Sequence, residues 1–378
     1  MDKKIDVFEG LARIKGFEGK ISRKDKVFYN PKMRINRDLS VLLLKSIKEE
    51  AKVLDAFAAT GIRGIRYLLE AKAKEVVFTD INPNAIALIK ENVELNKVKE
   101  KAKILLKDCR VVMLENANYF DVIDIDPFGS PAPFTDSAAS SIKNKGLCFF
   151  TATDLSALTG TNRKAGKRKY FVDIHRCDAM HDIAIRGLLS FLSREFAKHG
   201  KGIKVMLAYY KMHHIRVFVL CERGKRKADK ALENIANYVF CEKCGFRAFS
   251  ESYFWESKCP LCQGKLKVCK NLWIESYLDS CLINKMMEKA KEKSCYSEAY
   301  KFLEILKEES EVIKGKDALI YDIHYLSKLW KIKKMNSIDK IVEMLRQEGF
   351  KAAKSHVKPT AIITNVDVKN LVKVIKKK

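Results

Sequence analysis

The sequence predicts an α/β protein: a parallel sheet covered on both faces by helices, followed by a smaller α+β region organised round four cysteines. Three observations carry this. Between residues 52 and 220, short apolar runs alternate with segments whose apolar residues recur at helical spacing. The apolar runs are nearly continuous, as expected of strands buried on both faces. Beyond residue 230 the pattern changes, and C-x2-C pairs appear at 241–244 and 259–262. Two domains are therefore expected, 1–230 and 231–378.

The elements follow in order. AKVLDAF at 51–57 is a short strand ending at Asp55, and AATGIRGIRYLLEA turns tightly into a helix. EVVFTD is a second strand, ending at Asp80. In NPNAIALIKENVELN, Asn82 and Pro83 signal a helix start, with Ile86, Ile89 and Val93 on one face. KILLKD repeats the strand-then-acid pattern at Asp108, FDVIDIDPFG repeats it at Asp126, and GLCFFTATD at Asp154. Residues 271–330 read as helical, and 335–378 alternate short helices with the strand-like AIITNV.

Composition bounds the function. A chain of 378 residues, 47% hydrophobic, can build real cores in two domains. MDKKIDVFEG lacks the apolar run of a signal peptide, and no stretch approaches the ~20 apolar residues of a membrane span. A cytoplasmic location without a membrane partner is expected, where the 11 cysteines stay reduced and open to metal. The net charge is +26, with 45 Lys and Arg against 28 Asp and Glu in residues 1–230 and 28 against 19 thereafter. So even an excess suits a polyanion, most commonly nucleic acid, though a Lys-rich surface kept for solubility is the bland alternative. Nothing calls for an obligatory protein partner.

In parallel sheets, ligands sit beyond the carboxyl ends of the strands. Asp55, Asp80, Asp108, Asp126 and Asp154 all fall there. TGIRGIR lacks the G-x-G-x-x-G of a dinucleotide site, and no phosphate-binding G-x-x-x-x-G-K-[ST] occurs. Asp80, ending the second strand, suits the two hydroxyls of a ribose. Asp108 can accept from an adenine amino group while the Cys109 N–H meets a ring nitrogen. An adenosine without phosphates is described, hence S-adenosylmethionine and a class I, Rossmann-like methyltransferase domain.

Asp126 opens Asp126-Pro127-Phe128-Gly129, which resembles the strand-end turns of methyltransferases that act on exocyclic amino groups of bases. The residue types fit that chemistry. An exocyclic amine is a poor nucleophile because its lone pair is delocalised into the ring. A carboxylate that accepts its hydrogens returns density to nitrogen and can take the released proton. Phe128 can stack on the base, a contact worth ~1–3 kcal/mol. Pro127 stiffens the turn, and alignment is much of the rate enhancement. The plain alternative is a strand stop.

KVFYNPKMRINRDLS at 26–40, DAFAATGIRGIRY at 55–67, FTDINPNA at 78–85, DPFGSPAPF at 126–134 and TATDLSALTGT at 151–161 resemble the archaeal tRNA (guanine-26-N2)-dimethyltransferase family. SHVKPTAIITN at 355–365 extends the resemblance towards the C-terminus. It implies Arg37, Arg63, Asp80, Asp108 and Cys109 at the cofactor, Asp126 as catalytic acid/base, and Phe28 and Phe128 flanking the target guanine. It implies tRNA as partner and a guanine methylated twice on N2. Ile35 departs from the polar residue expected before Asn36-Arg37-Asp38, which leaves Arg37 in place.

A guanine stacked between helical arms must be extruded to be methylated. RKAGKRK at 163–169 is read as a basic loop past the fifth strand, with Arg163, Lys164, Lys167, Arg168 and Lys169 available to phosphate. RGKRKADK at 223–230 is read as the domain boundary. Beyond it, Cys241, Cys244, Cys259 and Cys262 form C-x2-C-x14-C-x2-C, the spacing of a four-thiolate zinc ribbon. Four thiolates leave no open position, so the zinc is structural. Cys269 is read as a core residue. Two alternatives stay open: methylation of another tRNA guanine or a DNA amino group, and a non-catalytic zinc-ribbon nucleic-acid-binding protein.

Overall fold

The structure, a computed structural model, describes residues 4–17, 27, 29–251, 258–313 and 318–377. It divides into two compact units: 1–151 with 218–223 and 281–303, and 152–217 with 224–280 and 304–378. The expected boundary at 230 is not the observed one. The chain leaves the first unit after its fifth parallel strand and returns to it twice. One of its crossings falls inside RGKRKADK, between Arg223 and Gly224, and most of that segment then lies in a helix of the second unit.

The chain opens with an antiparallel hairpin of β1 (Lys4–Glu9) and β2 (Ala12–Phe17), then α1 (Arg34–Ile47). Strand–helix units follow: β3 (Lys52–Asp55), α2 (Ile62–Glu70), β4 (Glu75–Asp80), α3 (Pro83–Leu95), β5 (Ala102–Leu106), α4 (Cys109–Glu115), β6 (Val122–Ile125), α5 (Ala132–Ser141) and β7 (Leu147–Ala152). After α6 (Leu155–Leu158), α7 (Arg163–Tyr170) and α8 (Met180–Ala197) come β8 (Lys201–Lys211), β9 (His214–Arg223) and α9 (Lys225–Leu232). The remainder holds β10 (Ile235–Phe240), β11 (Arg247–Ser250), β12 (Lys267–Trp273), α10 (Ser280–Lys291), α11 (Ser297–Val312), β13 (Leu319–Asp322), α12 (Ile323–Leu329), α13 (Ile338–Gln347), β14 (Ala352–Lys354), β15 (Ala361–Thr364) and α14 (Val368–Lys376).

The main sheet has the order β5-β4-β3-β6-β7-β9-β8. Its first five strands are parallel, with Leu54 opposite both Val77 and Ile123. The apolar residues of β3, β4, β6 and β7 are buried, which is why those runs are continuous rather than alternating, while the edge strand β5 is only partly covered and leaves Leu106 exposed. The fully parallel expectation fails at β8 and β9. Only Met212 and His213 join these neighbours, too few for a crossover, so they form an antiparallel hairpin. Cys221 near the end of β9 bonds Lys145 and Gly146 before β7, so β9 runs against the parallel strands.

Strand order reverses at β3, which lies between β4 and β6. Such a switch point leaves a crevice beyond the carboxyl ends of the two diverging strands. Asp55, Asp80 and Asp126 stand at or one residue beyond those ends. The fold thus positions the site.

In the second unit, β10 pairs with β11 and β12 in an antiparallel sheet, and β15 with β13 and β14 in another. Ile341, Leu345, Ile362, Leu371 and Val374 form a core beneath α13 and α14. Among the described residues, no helix is long and apolar enough to cross a membrane.

Candidate active site

The turn after β3 lies at the switch point. Ala59 and Gly61 adopt positive φ of 48° and 78°, so the chain reverses within AATG before α2 begins. Asp80 ties this turn to the next: its Oδ2 accepts from the Ala59 N–H at 3.0 Å and its Oδ1 from the Asn82 N–H at 2.9 Å. The cap of α3 is Asn82, which accepts from the Asn84 N–H, so Asp80 is not merely a helix cap. Asp108 caps α4 through the Arg110 N–H and pairs with the Arg110 guanidinium at 2.6 Å. Those hydrogen bonds hold its carboxyl below the usual range. Cys109 opens α4 with its thiol buried, and burial, then Asp108, pushes the thiol up to about 12. The N–H groups of a helix's first turn have no partner within the helix.

Asp126 follows β6 with its side chain 22% exposed. Pro127 is buried and Gly129 sits at φ 92°, a conformation that favours glycine. Between them Phe128 projects, 60% exposed although it is a large aromatic residue. A carboxylate thus stands next to an exposed ring on a stiff turn.

Behind Asp126 lies Arg63 of α2, buried, with Nη2 bonded to Asp126 Oδ2. Its Nη1 donates to Ser40 Oγ at 3.2 Å and lies 3.6 Å from Asp124 Oδ2. The Tyr67 hydroxyl donates to Asp124 at 2.5 Å. Asp55 accepts from the Gly64 N–H, and burial, then the neighbouring Asp124, pushes its carboxyl up to about 7. Sequence reasoning assigned no role to Ser40, Tyr67 or Asp124. A signal existed for Asp124: residues two apart on a strand share a face, so it points the way of Asp126.

Arg37 lies in a second buried cluster. Its Nε is 2.6 Å from Glu9 Oε1, and it also donates to the Asn30 carbonyl. Arg66 reaches the carboxylates of Glu9 and Glu70 at 2.7 Å and of Asp38 at 2.6 Å. Burial alone would raise the Glu9 carboxyl, but Arg37 and Arg66 hold it at about 2. Phe28 lies outside the described residues.

The model of the N2,N2-dimethylguanosine tRNA methyltransferase family matches residues 9–376. The chain belongs to that family. Among curated members, tRNA (guanine(26)-N(2))-dimethyltransferases of Pyrococcus furiosus and Methanopyrus kandleri are 37% and 35% identical to it. The first alignment covers 99% of this chain and 98% of the relative, the second 91% and 88%. A solved complex of Trm1 from Pyrococcus horikoshii with S-adenosyl-L-methionine superposes with a TM-score of 0.88 at 34% identity, covering 99% of this chain and all of that one. The Rossmann-like class I methyltransferase fold is therefore that of the family.

The second unit of this dimethylguanosine methyltransferase family member holds the four cysteines. Cys241 and Cys244 lie in the turn between β10 and β11, and Cys259 and Cys262 precede β12. Their sulfurs all lie within 4.8 Å of one another, with Cys241–Cys262 and Cys244–Cys259 at 3.5 Å. Four thiolates bound to one zinc at ~2.3 Å require sulfurs ~3.8 Å apart, so the set fits a tetrahedral ion. Gly245, at φ 81°, and the Gly264–Cys259 backbone bond close the two knuckles. Cys269 is a core residue, as expected.

Residues 163–169 are corrected from loop to helix. Asn162 caps α7 through the Ala165 N–H, and Gly166 is there for close packing: a Cβ would lie 2.6 Å from the Ala157 carbonyl oxygen. Arg163 and Lys167 pair with Asp173. Lys169 and the Tyr170 hydroxyl hold Asp154, so α7 engages that strand-end acid. Lys164 and Arg168, four residues apart, share an exposed face.

Proposed function

We propose that this protein transfers methyl groups from S-adenosylmethionine to the exocyclic N2 of guanine 26 in tRNA, giving N2-methyl- and then N2,N2-dimethylguanosine. The observation that carries the reading is the half-buried Asp126 carboxylate beside the exposed Phe128 ring, at the switch point of a fold shared with dimethylguanosine methyltransferases. Asp80, Asp108 and the Cys109 N–H offer the acceptors and donor that an adenosine needs, which is the ground for naming this cofactor. Arg37 and Arg63 complete the set; a guanidinium has five N–H donors, so bonds to protein carboxylates leave donors for a ligand. When bound, S-adenosylmethionine supplies an activated methyl group. Phe128, with Phe28, stacks the extruded guanine, and Pro127 fixes the turn. Asp126 accepts the amino hydrogens and receives one proton per transfer. The monomethyl product still carries one N–H for Asp126, and the dimethyl product carries none. The chemistry therefore ends after two rounds.

The test is direct. Unmodified tRNA incubated with methyl-labelled cofactor should yield dimethylguanosine at position 26, and a transcript with another base at 26 should stay unlabelled. Label elsewhere in that transcript, or in DNA, would favour the rival substrates.

We further read the thiolate set as a zinc ribbon, and the second unit as the arm that grips tRNA. Metal analysis should find one zinc per chain, lost in Cys259→Ser. A folded, fully reduced protein without metal would end that reading. On α7, replacing Lys164 and Arg168 with Ala should weaken tRNA binding and flatten its dependence on salt, each lost phosphate contact removing a slope of about 0.7–0.9. An unaltered slope would make that face plain solvated surface.

A further inference from the structure

Arg63 is enclosed by carboxylates. Asp55 acts on it from β3, Asp124 from β6 and Asp126 from just past β6, while Tyr67 lies one turn along α2. These four are the groups that act most strongly on the Arg63 charge. Three acids lie close to this buried cation, so removing the guanidinium would weaken the balance of charge in the interior. It also stands at the hinge of the cluster, with Nη2 on Asp126 Oδ2 and Nη1 towards Asp124 and Ser40. Tyr67 anchors the far side by donating to Asp124.

We propose that Arg63 is a positioning residue for Asp126: the chain Tyr67–Asp124–Arg63–Asp126 fixes the rotation of the reacting carboxylate and keeps it ionised. This rests on the function proposed above. A carboxylate on a two-bond side chain can swing, and a forked donor attached to a packed helix removes that freedom. Arg is the suitable residue because its planar fork spans two acceptors at once, whereas a lysine offers a point charge. The assignment adds to a cofactor contact through other N–H groups, and predicts a different kinetic signature.

The experiment is single-turnover methyl transfer to tRNA at saturating cofactor and tRNA, across pH, with cofactor affinity measured separately. In Arg63→Gln the saturated rate should fall at least about tenfold, towards the ~100-fold that an ångström-scale misplacement costs. Loss of the cation should also move the acid limb of the profile up by about one pH unit or more. Arg63→Lys should return the limb towards its wild-type position without restoring the rate. A Gln variant with a wild-type saturated rate, an unmoved limb and a defect only in cofactor affinity would overturn the proposal. Should Arg63→Gln not fold, Tyr67→Phe decides: a several-fold lower saturated rate supports the chain, and a wild-type rate ends it. A wild-type enzyme that leaves tRNA guanine unlabelled would sink the proposed function, and this inference with it. Active wild type beside unaffected variants would sink the inference alone.

Discussion

Asp126→Asn is expected to lose methyl transfer by at least about 100-fold, the lower end of a general acid–base contribution, while keeping its affinity for tRNA and cofactor. The substitution is nearly isosteric, so the turn through buried Pro127 and Gly129 at φ 92° should persist. Its chemistry changes in two ways. The amide oxygen can still face Arg63, but the amide NH2 then points where an acceptor is needed, and it cannot take up a proton at neutral pH. Arg63 is not stranded, because Asp124 remains 3.6 Å from Nη1. Affinity for tRNA rests mainly on phosphate contacts, and adenosine recognition is assigned to Asp80, Asp108 and Cys109. Both binding constants and the single-turnover rate should be measured on one preparation. Near wild-type transfer would reduce Asp126 to a strand stop.

Much of this site was legible because it repeats. Each parallel strand ends on or just before an acid, and repetition marks the sheet edge where ligands bind. The DPFG turn was legible for a similar reason: its composition makes poor sense as packing, and the structure leaves Phe128 exposed. The α7 helix was not legible. Gly166 reads as a loop residue unless the close approach of the Ala157 carbonyl is known. Nor could the sequence show which charges meet. Arg66 lies 57 residues from Glu9, and Tyr296 lies 226 from the Glu70 carboxylate to which it donates. Local patterns find edges and turns, whereas buried ion clusters arise from tertiary pairing.

Arg66→Met should be the most destabilising of the single changes considered, by about 3–5 kcal/mol at pH 7, the cost of removing one partner from a buried ion cluster. Arg66 has no exposed side-chain surface and touches Glu9, Asp38 and Glu70. Without it, Glu9 would keep Arg37 and Asp38 would keep Arg34 at 3.8 Å, while the partners left to Glu70 among the described residues are the neutral Leu11 N–H and Tyr296 hydroxyl. The pH dependence supplies the check. Burial, opposed by Arg66, raises the Asp38 carboxyl from 3.8 to about 6. That contribution is complete below 3.8 and is lost as pH rises through 6. Glu9 behaves oppositely: held at about 2 against an ordinary 4.5, it stabilises above 4.5 and loses its contribution as pH falls towards 2. Removing the cation must raise the folded-state values of Asp38 and Glu9, so the variant gains protons on folding over a wider range. Its stability should therefore fall more steeply between pH 5 and 7 than that of the wild type. Urea unfolding at both pH values measures this, with the deficit at pH 5 smaller than at pH 7. A deficit equal at the two pH values would mean that Arg66 acts by packing alone.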